Sequence, residues 1–99
     1  LVTDSVGMVV EVNDAFLRMF GLDRESTLRM GSADLCRVLG QYSLQDSSAW
    51  KSAWSRLSHE PDAEWTTELT IGGRVVSCRS LPIAGEEKGP SLGRVWFFN

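Results

Sequence analysis

Apolar positions change their spacing twice along this chain, and each change marks a change of backbone. Residues 1–3 and 8–12 are rich in β-formers and flank Asp4-Ser5-Val6-Gly7, a tight-turn sequence, so residues 1–12 predict a hairpin. The period then becomes helical. Phe16, Met19 and Phe20 fall at i, i+3, i+4 with Leu17 beside them. Asn13 or Asp14 is placed to cap this short helix, and Gly21 to end it. Residues 22–30 predict a second short helix with Asp23 as its cap, broken at Gly31-Ser32. Residues 33–39 predict a third, with Leu35, Val38 and Leu39 apolar. A longer fourth helix follows Asp46 or Ser47. Trp50, Ala53, Trp54 and Leu57 share one face, Lys51, Ser52, Ser55 and Arg56 lie opposite, and Pro61 ends it.

The last third returns to period two. Over residues 64–71, Trp65, Thr67, Leu69 and Ile71 alternate with polar neighbours, and Gly72-Gly73 is a hairpin turn signal. Residues 74–83 form the next strand, with Val76, Cys78 and Ser80 on one face and Val75, Ser77, Arg79 and Leu81 on the other. The sequence AGEEKGPSLG, residues 84–93, is a polar turn, and residues 92–98 form a last strand of β-branched and aromatic residues. The order ββαααα-βββ predicts an α+β domain: a five-stranded antiparallel sheet with short helices on one face.

At 99 residues the chain is one domain, long enough to bury roughly 60–70% of its unfolded surface. Its net charge is −3 and its ten basic residues are spread out, so no cationic stripe for nucleic acid is present. No apolar run approaches the ~20 residues of a membrane span. Cys36 and Cys78 match no metal or CxxC spacing and read as free thiols. With His59 the one histidine, neither a Ser/His/Asp nor a Cys/His arrangement can be built, and Glu86-Glu87 with Lys88 reads as a charged loop tip. The expectation is a non-catalytic domain.

The segments VTDSVGMVVEVNDAFLRMFGLDRES and ELTIGGRVVSCRSLPI…LGRVWFFN together resemble a PAS domain, the sensory module of bacterial signalling proteins. Asp4 and Gly7 match the family's D-x-x-G turn. Val12, Asn13, Ala15 and Phe16 match its V-N-x-A-F segment, and Gly21, Arg24 and Glu25 the G-(apolar)-(S/T/D)-R-E segment that follows its short helix. The Gly-Gly turn, Leu81-Pro82-Ile83 and Leu92-Gly93 match further on. The resemblance implies a single sensory domain over residues 1–99, a piece of a larger cytoplasmic protein. The output, such as a histidine kinase, a diguanylate cyclase or a transcriptional regulator, would lie elsewhere in that protein.

PAS domains carry flavin, haem, small metabolites or nothing, and the residues weigh against the first two. Aligned with the light-sensing relatives, the adduct-forming cysteine would fall at Ser32. Cys36 comes four residues later, Phe98 stands where those relatives place a glutamine, and residues 64–83 contain no asparagine. The haem ligand would have to be His59, at a helix end turning toward solvent. Cofactors are therefore expected to be none. A small ligand would lie near Trp54 and Trp96, with Thr67, Ser80, Cys78 or Tyr42 beside it. Large aromatic volume at Trp50, Trp54, Trp65, Trp96 and Phe98 argues that side chains fill the core instead. The alternative is a ligand-free interaction module. In either case a homodimer is expected through the outer sheet face, at Val75, Leu81, Val95 and Phe97.

Overall fold

The computed structural model describes residues 1–85 and 91–99; Glu86, Glu87 and Lys88 of the acidic loop lie outside the described residues. Chain order is β1 (Val2–Asp4), β2 (Val9–Glu11), α1 (Asp14–Phe20), α2 (Arg24–Thr27), α3 (Ser32–Gly40), α4 (Ser47–His59), β3 (Trp65–Ile71), β4 (Arg74–Ile83) and β5 (Gly93–Phe98). The strands form one sheet in the order β2-β1-β5-β4-β3, and every pairing is antiparallel. The α+β expectation holds: five antiparallel strands and four helices.

Local chemistry explains the breaks. Asp4 Oδ1 accepts from the backbone N–H of Val6 at 3.0 Å and of Met8 at 2.9 Å, closing the β1–β2 turn. Gly7 sits there at φ 88°, and an added Cβ would lie 2.7 Å from the Ser32 Cβ, so the turn packs directly on the start of α3. Asn13 caps α1, its Oδ1 accepting from Phe16 N–H at 3.0 Å. Asp23 caps α2 in the same way. Arg24 of α2 donates to the Val12 carbonyl and pairs with Asp14, which ties α2 to the end of β2.

The second helix is shorter than its sequence suggests, four residues in place of a run to Met30. Thr27 is its one buried residue and Leu28 is exposed, so there is no apolar stripe to extend. Val9 N–H donates to the Met30 carbonyl at 3.0 Å, drawing the chain out along β2 instead. The other difference is at α3, which runs on through Gly40. A side chain there would collide with Trp50, 2.8 Å from its Nε1.

The inner sheet face and the helices enclose the core. Thr67, Leu69, Val76, Cys78, Ser80 and Trp96 are buried from the sheet side, and Phe16, Phe20, Leu35, Leu39, Trp50, Trp54 and Leu57 from the helices. The alternation read from β4 is the one observed, with Val75, Ser77 and Arg79 exposed. Aromatic rings fill the interior as two groups. Phe16, Phe20, Tyr42 and Phe98 pack with centroids 4.7–5.4 Å apart. Trp50, Trp54, Trp65 and Trp96 pack with centroids 4.9–6.2 Å apart.

Candidate functional site

A cleft of about 210 Å³ opens at the end of the sheet where the β1–β2 turn meets the start of β5. The turn at residues 4–7 forms one rim, and Ser32 and Leu35 of α3 form the wall beside it. Trp54, Leu57 and Ser58 of α4, with Pro61, make the opposite wall. The floor is Thr3 of β1 with Ser91, Gly93, Arg94 and Trp96 at β5.

Close strand approach builds this floor. Gly93 has φ 150°, and a Cβ there would lie 2.0 Å from the Thr3 carbonyl oxygen. Ser91 Oγ donates to the Gly93 carbonyl at 2.7 Å, holding the entry to β5. Trp96 Nε1 donates to Thr3 Oγ1 at 3.2 Å, and its ring stacks on Trp54 with centroids 4.9 Å apart and planes at 14°. The two indoles therefore occupy the space between them, and no flat ligand enters there.

Arg94 is the charged residue of the floor. It is 9% exposed, and its side chain lies on the inner face with Trp96. Nη1 donates to the Ala63 carbonyl at 2.7 Å and to Ser80 Oγ at 3.3 Å, and Nη2 donates to the same Ala63 carbonyl. These bonds pin the α4–β3 connection to β5. Burial lowers the Arg94 pKa, and the nearby charge of Asp62 works in the other direction. Arg94 forms no ion pair among the described residues. Among the described residues its Nε is buried without a hydrogen-bond partner, and so is Trp54 Nε1. Both residues line the cleft, while the two unpaired nitrogens lie beneath its surface.

Of the six residues named from sequence, Trp54 and Trp96 line this cleft and the other four do not. Ser80 lies behind Arg94 as its hydroxyl partner. Thr67 and Cys78 face one another across the β3–β4 ladder inside the core. Tyr42 packs edge-on to Phe20, 5.4 Å away, in the phenylalanine group. Arg94 was absent from the sequence-derived set. The signal for it was the period of β5: Phe98 and Trp96 face inward, and two residues back on the same face is Arg94.

The cysteines and histidine fall elsewhere. Cys36 is half-buried on α3, its carbonyl accepting from Trp50 Nε1 at 2.9 Å and its thiol pushed up in pKa by burial. Cys78 is fully buried and its thiol is pushed up to about 12 by desolvation. His59 is exposed at the end of α4, with Nδ1 2.8 Å from the Ser55 carbonyl. Among the described residues no three His, Cys, Asp or Glu side chains converge on a metal position, and no helix is long and apolar enough to cross a membrane.

A second cleft of about 430 Å³ lies at the other end of β5, between the β2–α1 segment and residues 95–99. No unpaired buried donor lines it among the described residues. On the outer sheet face, Val2, Val95 and Leu81 sit side by side in register, with Phe97 opposite Arg79 on the next rung of that face. Val75 stands apart, six residues along β4 from Leu81 and so roughly 20 Å away.

No protein-family model matches the sequence, and no curated protein matches it significantly. Solved structures do match. A domain of an HTR-like protein from Haloarcula marismortui is similar at 18% identity and TM-score 0.55, covering 99% of this chain and 93% of its own. The PAS domain of BvgS from Bordetella pertussis is similar at 22% identity and TM-score 0.66, covering 98% of this chain and 71% of its own. The strand order, the four intervening helices and these likenesses together show a PAS-like fold.

Proposed function

We propose that this chain is a non-catalytic, ligand-sensing module of a larger cytoplasmic signalling protein. It binds a small molecule in the cleft beside the β1–β2 turn and passes the effect through β5. The observation that carries this reading is the placement of Arg94 and Trp96. Both line the cleft and both belong to a central strand paired to β1 and β4, so an occupant bears directly on the sheet. Catalysis would belong to another domain, such as a histidine kinase, a diguanylate cyclase or a DNA-binding regulator. Neither flavin nor haem is assigned. The Trp54–Trp96 stack and the phenylalanine group take up the interior that a large planar cofactor would need.

The test is a thermal-shift screen of the purified protein against a broad metabolite panel, followed by backbone amide spectra. A saturable rise in melting temperature, with amide shifts concentrated in β5, supports the reading. A panel with no hits at millimolar concentration refutes it. The second reading is a ligand-free homodimerisation module, favoured by the apolar row of Val2, Val95 and Leu81 with exposed Phe97 beyond it. Light scattering over a range of concentrations separates the two. A dimer that weakens on Phe97→Ser, in a protein with no ligand response, favours the second.

A further inference from the structure

The connection between α4 and β3, residues 60–64, borders the cleft through Pro61 and is held by few bonds. Glu60, Pro61, Asp62 and Glu64 are exposed, and Ala63 is half-buried against the core. Its own backbone bonds are local: Glu60 N–H donates to the Arg56 carbonyl at 2.8 Å, and Ala63 N–H to the Glu60 carbonyl at 3.0 Å. Among the described residues its hydrogen bonds to the sheet all come from Arg94, whose Nη1 and Nη2 both donate to the Ala63 carbonyl. The Glu64–Arg79 contact, 3.9 Å between exposed groups, adds little. The anchors on either side are firm. Helix α4 ends at His59, and Trp65 pairs with Ser80 and packs on Trp50 with centroids 5.2 Å apart.

We propose that residues 60–64 are a lid on this cleft and that Arg94 is its latch. In the closed form Arg94 holds the Ala63 carbonyl. In the open form the segment swings out between its two anchors, and Arg94 pairs with the Asp62 carboxylate instead. The swing carries Pro61 off the cleft wall. Service of the lid to a ligand rests on the ligand-sensing reading above; the latch is tested without one.

Two features bring the forms close in energy. The closed form satisfies Arg94 incompletely: its acceptors are a neutral carbonyl and the Ser80 hydroxyl, and its Nε is buried without a partner. A stronger acceptor stands one residue from the first. Asp62 is exposed, forms no ion pair among the described residues, and its charge acts on Arg94. Hydrogen bonds between two ionised groups are roughly twice as strong as neutral ones. The Ala63 contact with the core holds the lid shut against this pull. Glu60 already lies outside helical backbone, at φ −123° and ψ 74°, so a hinge there unwinds no turn of α4.

The experiment is relaxation dispersion on ¹³C,¹⁵N-labelled protein without added ligand. The readouts are the Ala63 carbonyl carbon and the Glu64 amide nitrogen, which sense the bonds made to the Ala63 carbonyl. The expected result is microsecond-to-millisecond exchange at residues 60–64 with one shared rate, and flat profiles at Trp54 and Leu69. Arg94→Met removes every donor, so its Ala63 carbonyl should resonate at the shift of the minor form. Asp62→Asn separates a latch with two partners from a plain structural tie. Loss of the second partner should lower the open population about threefold, the scale of one exposed ion pair. If Asp62 merely steadied the closed form, its removal would raise that population. Should Arg94→Met fail to fold, the unaltered protein and Asp62→Asn still decide. Flat profiles across residues 60–64, or an open population that Asp62→Asn raises or leaves unchanged, overturn the proposal. Flat profiles beside a hit from the metabolite panel remove the lid and leave ligand sensing standing; exchange without any hit does the reverse.

Discussion

The replacement Gly93→Ala tests how the cleft floor is built. The residue sits at φ 150°, a region that L-residues occupy at a cost of about 1–3 kcal/mol. Its new Cβ would meet the Thr3 carbonyl oxygen at 2.0 Å and the Asp4 Cα at 2.9 Å. Both atoms are backbone, so no side chain can rotate away. Strand β1 would have to move off β5 where Asp4 pairs with Gly93 and Thr3 with Arg94. Losing one or two ladder hydrogen bonds adds about 1–2 kcal/mol. The total is about 2–5 kcal/mol, a large part of the ~5–15 kcal/mol of a typical domain. A domain of this length unfolds with roughly 0.2 kcal/mol/K of entropy, so the melting temperature should fall by about 10–25 °C. Gly21→Ala is the control. That glycine has φ 63° with nothing within 4 Å of an added Cβ, so only the backbone term of about 1–2 kcal/mol, or ~5–10 °C, applies. Calorimetry on the three proteins is the assay. If Gly93→Ala melts no lower than Gly21→Ala, the close approach of β1 to β5 is wrong, and the described cleft floor goes with it.

Three further outcomes are expected. Asn13→Ala removes the acceptor for Phe16 N–H and should cost about 1 kcal/mol, read as a shift of about 5 °C in the melting midpoint. At pH 8 a thiol of pKa about 12 is ~10⁻⁴ ionised, so Cys78 should resist iodoacetamide in the folded protein while half-buried Cys36 is labelled slowly. Peptide mapping checks this, and equal labelling of both in the native state would contradict it. The Asp23 carboxyl is held below its ordinary 3.8, first by the Ser26 hydroxyl and then by backbone N–H groups. A depressed carboxylate stabilises the fold above its unfolded pKa, and that contribution is lost as pH falls through the lower folded value. Asp23→Asn should therefore flatten the stability profile below about pH 4 and leave its slope near neutrality unchanged.

Much of the fold was legible because its signals are local. The Asp4 turn, the Asn13 and Asp23 caps and the Gly21 stop are side-chain-to-backbone devices a few residues long, and each acts where its sequence position indicates. Strand faces followed from alternation, since Val76, Cys78 and Ser80 could only share one side. The extent of α2 was not legible. The Met30 carbonyl is taken by Val9 of β2, a contact between elements that no helical propensity encodes. For the same reason Gly40 continues α3: its missing side chain makes room for Trp50 from the next helix.

The lining of the candidate cleft was legible in part: two of the six residues named from sequence border it, and Arg94 of its floor was not among them. Trp54 and Trp96 were named because aromatic residues at inward positions are conspicuous. Their expected polar companions, Thr67, Ser80, Cys78 and Tyr42, were chosen for being small or hydroxylated within the core. Such groups bury cheaply by pairing within the fold, as Ser80 does with Arg94, and so leave no unmet demand for a ligand. An arginine is the opposite case. Period two from Phe98 and Trp96 places Arg94 inward, where a guanidinium costs several kcal/mol unless its donors are met. The fold meets Nη1 and Nη2 through Ala63 and Ser80, and leaves Nε buried without a partner among the described residues. The period of β5 was thus a stronger pointer to the lining of this cleft than the small and hydroxylated residues of the core. On that argument, Arg94→Gln, which gives up donors to Ala63 and Ser80, should destabilise the fold by about 1–3 kcal/mol, read as a lowered melting temperature. An unchanged melting temperature in Arg94→Gln would show that these bonds do not hold the α4–β3 connection.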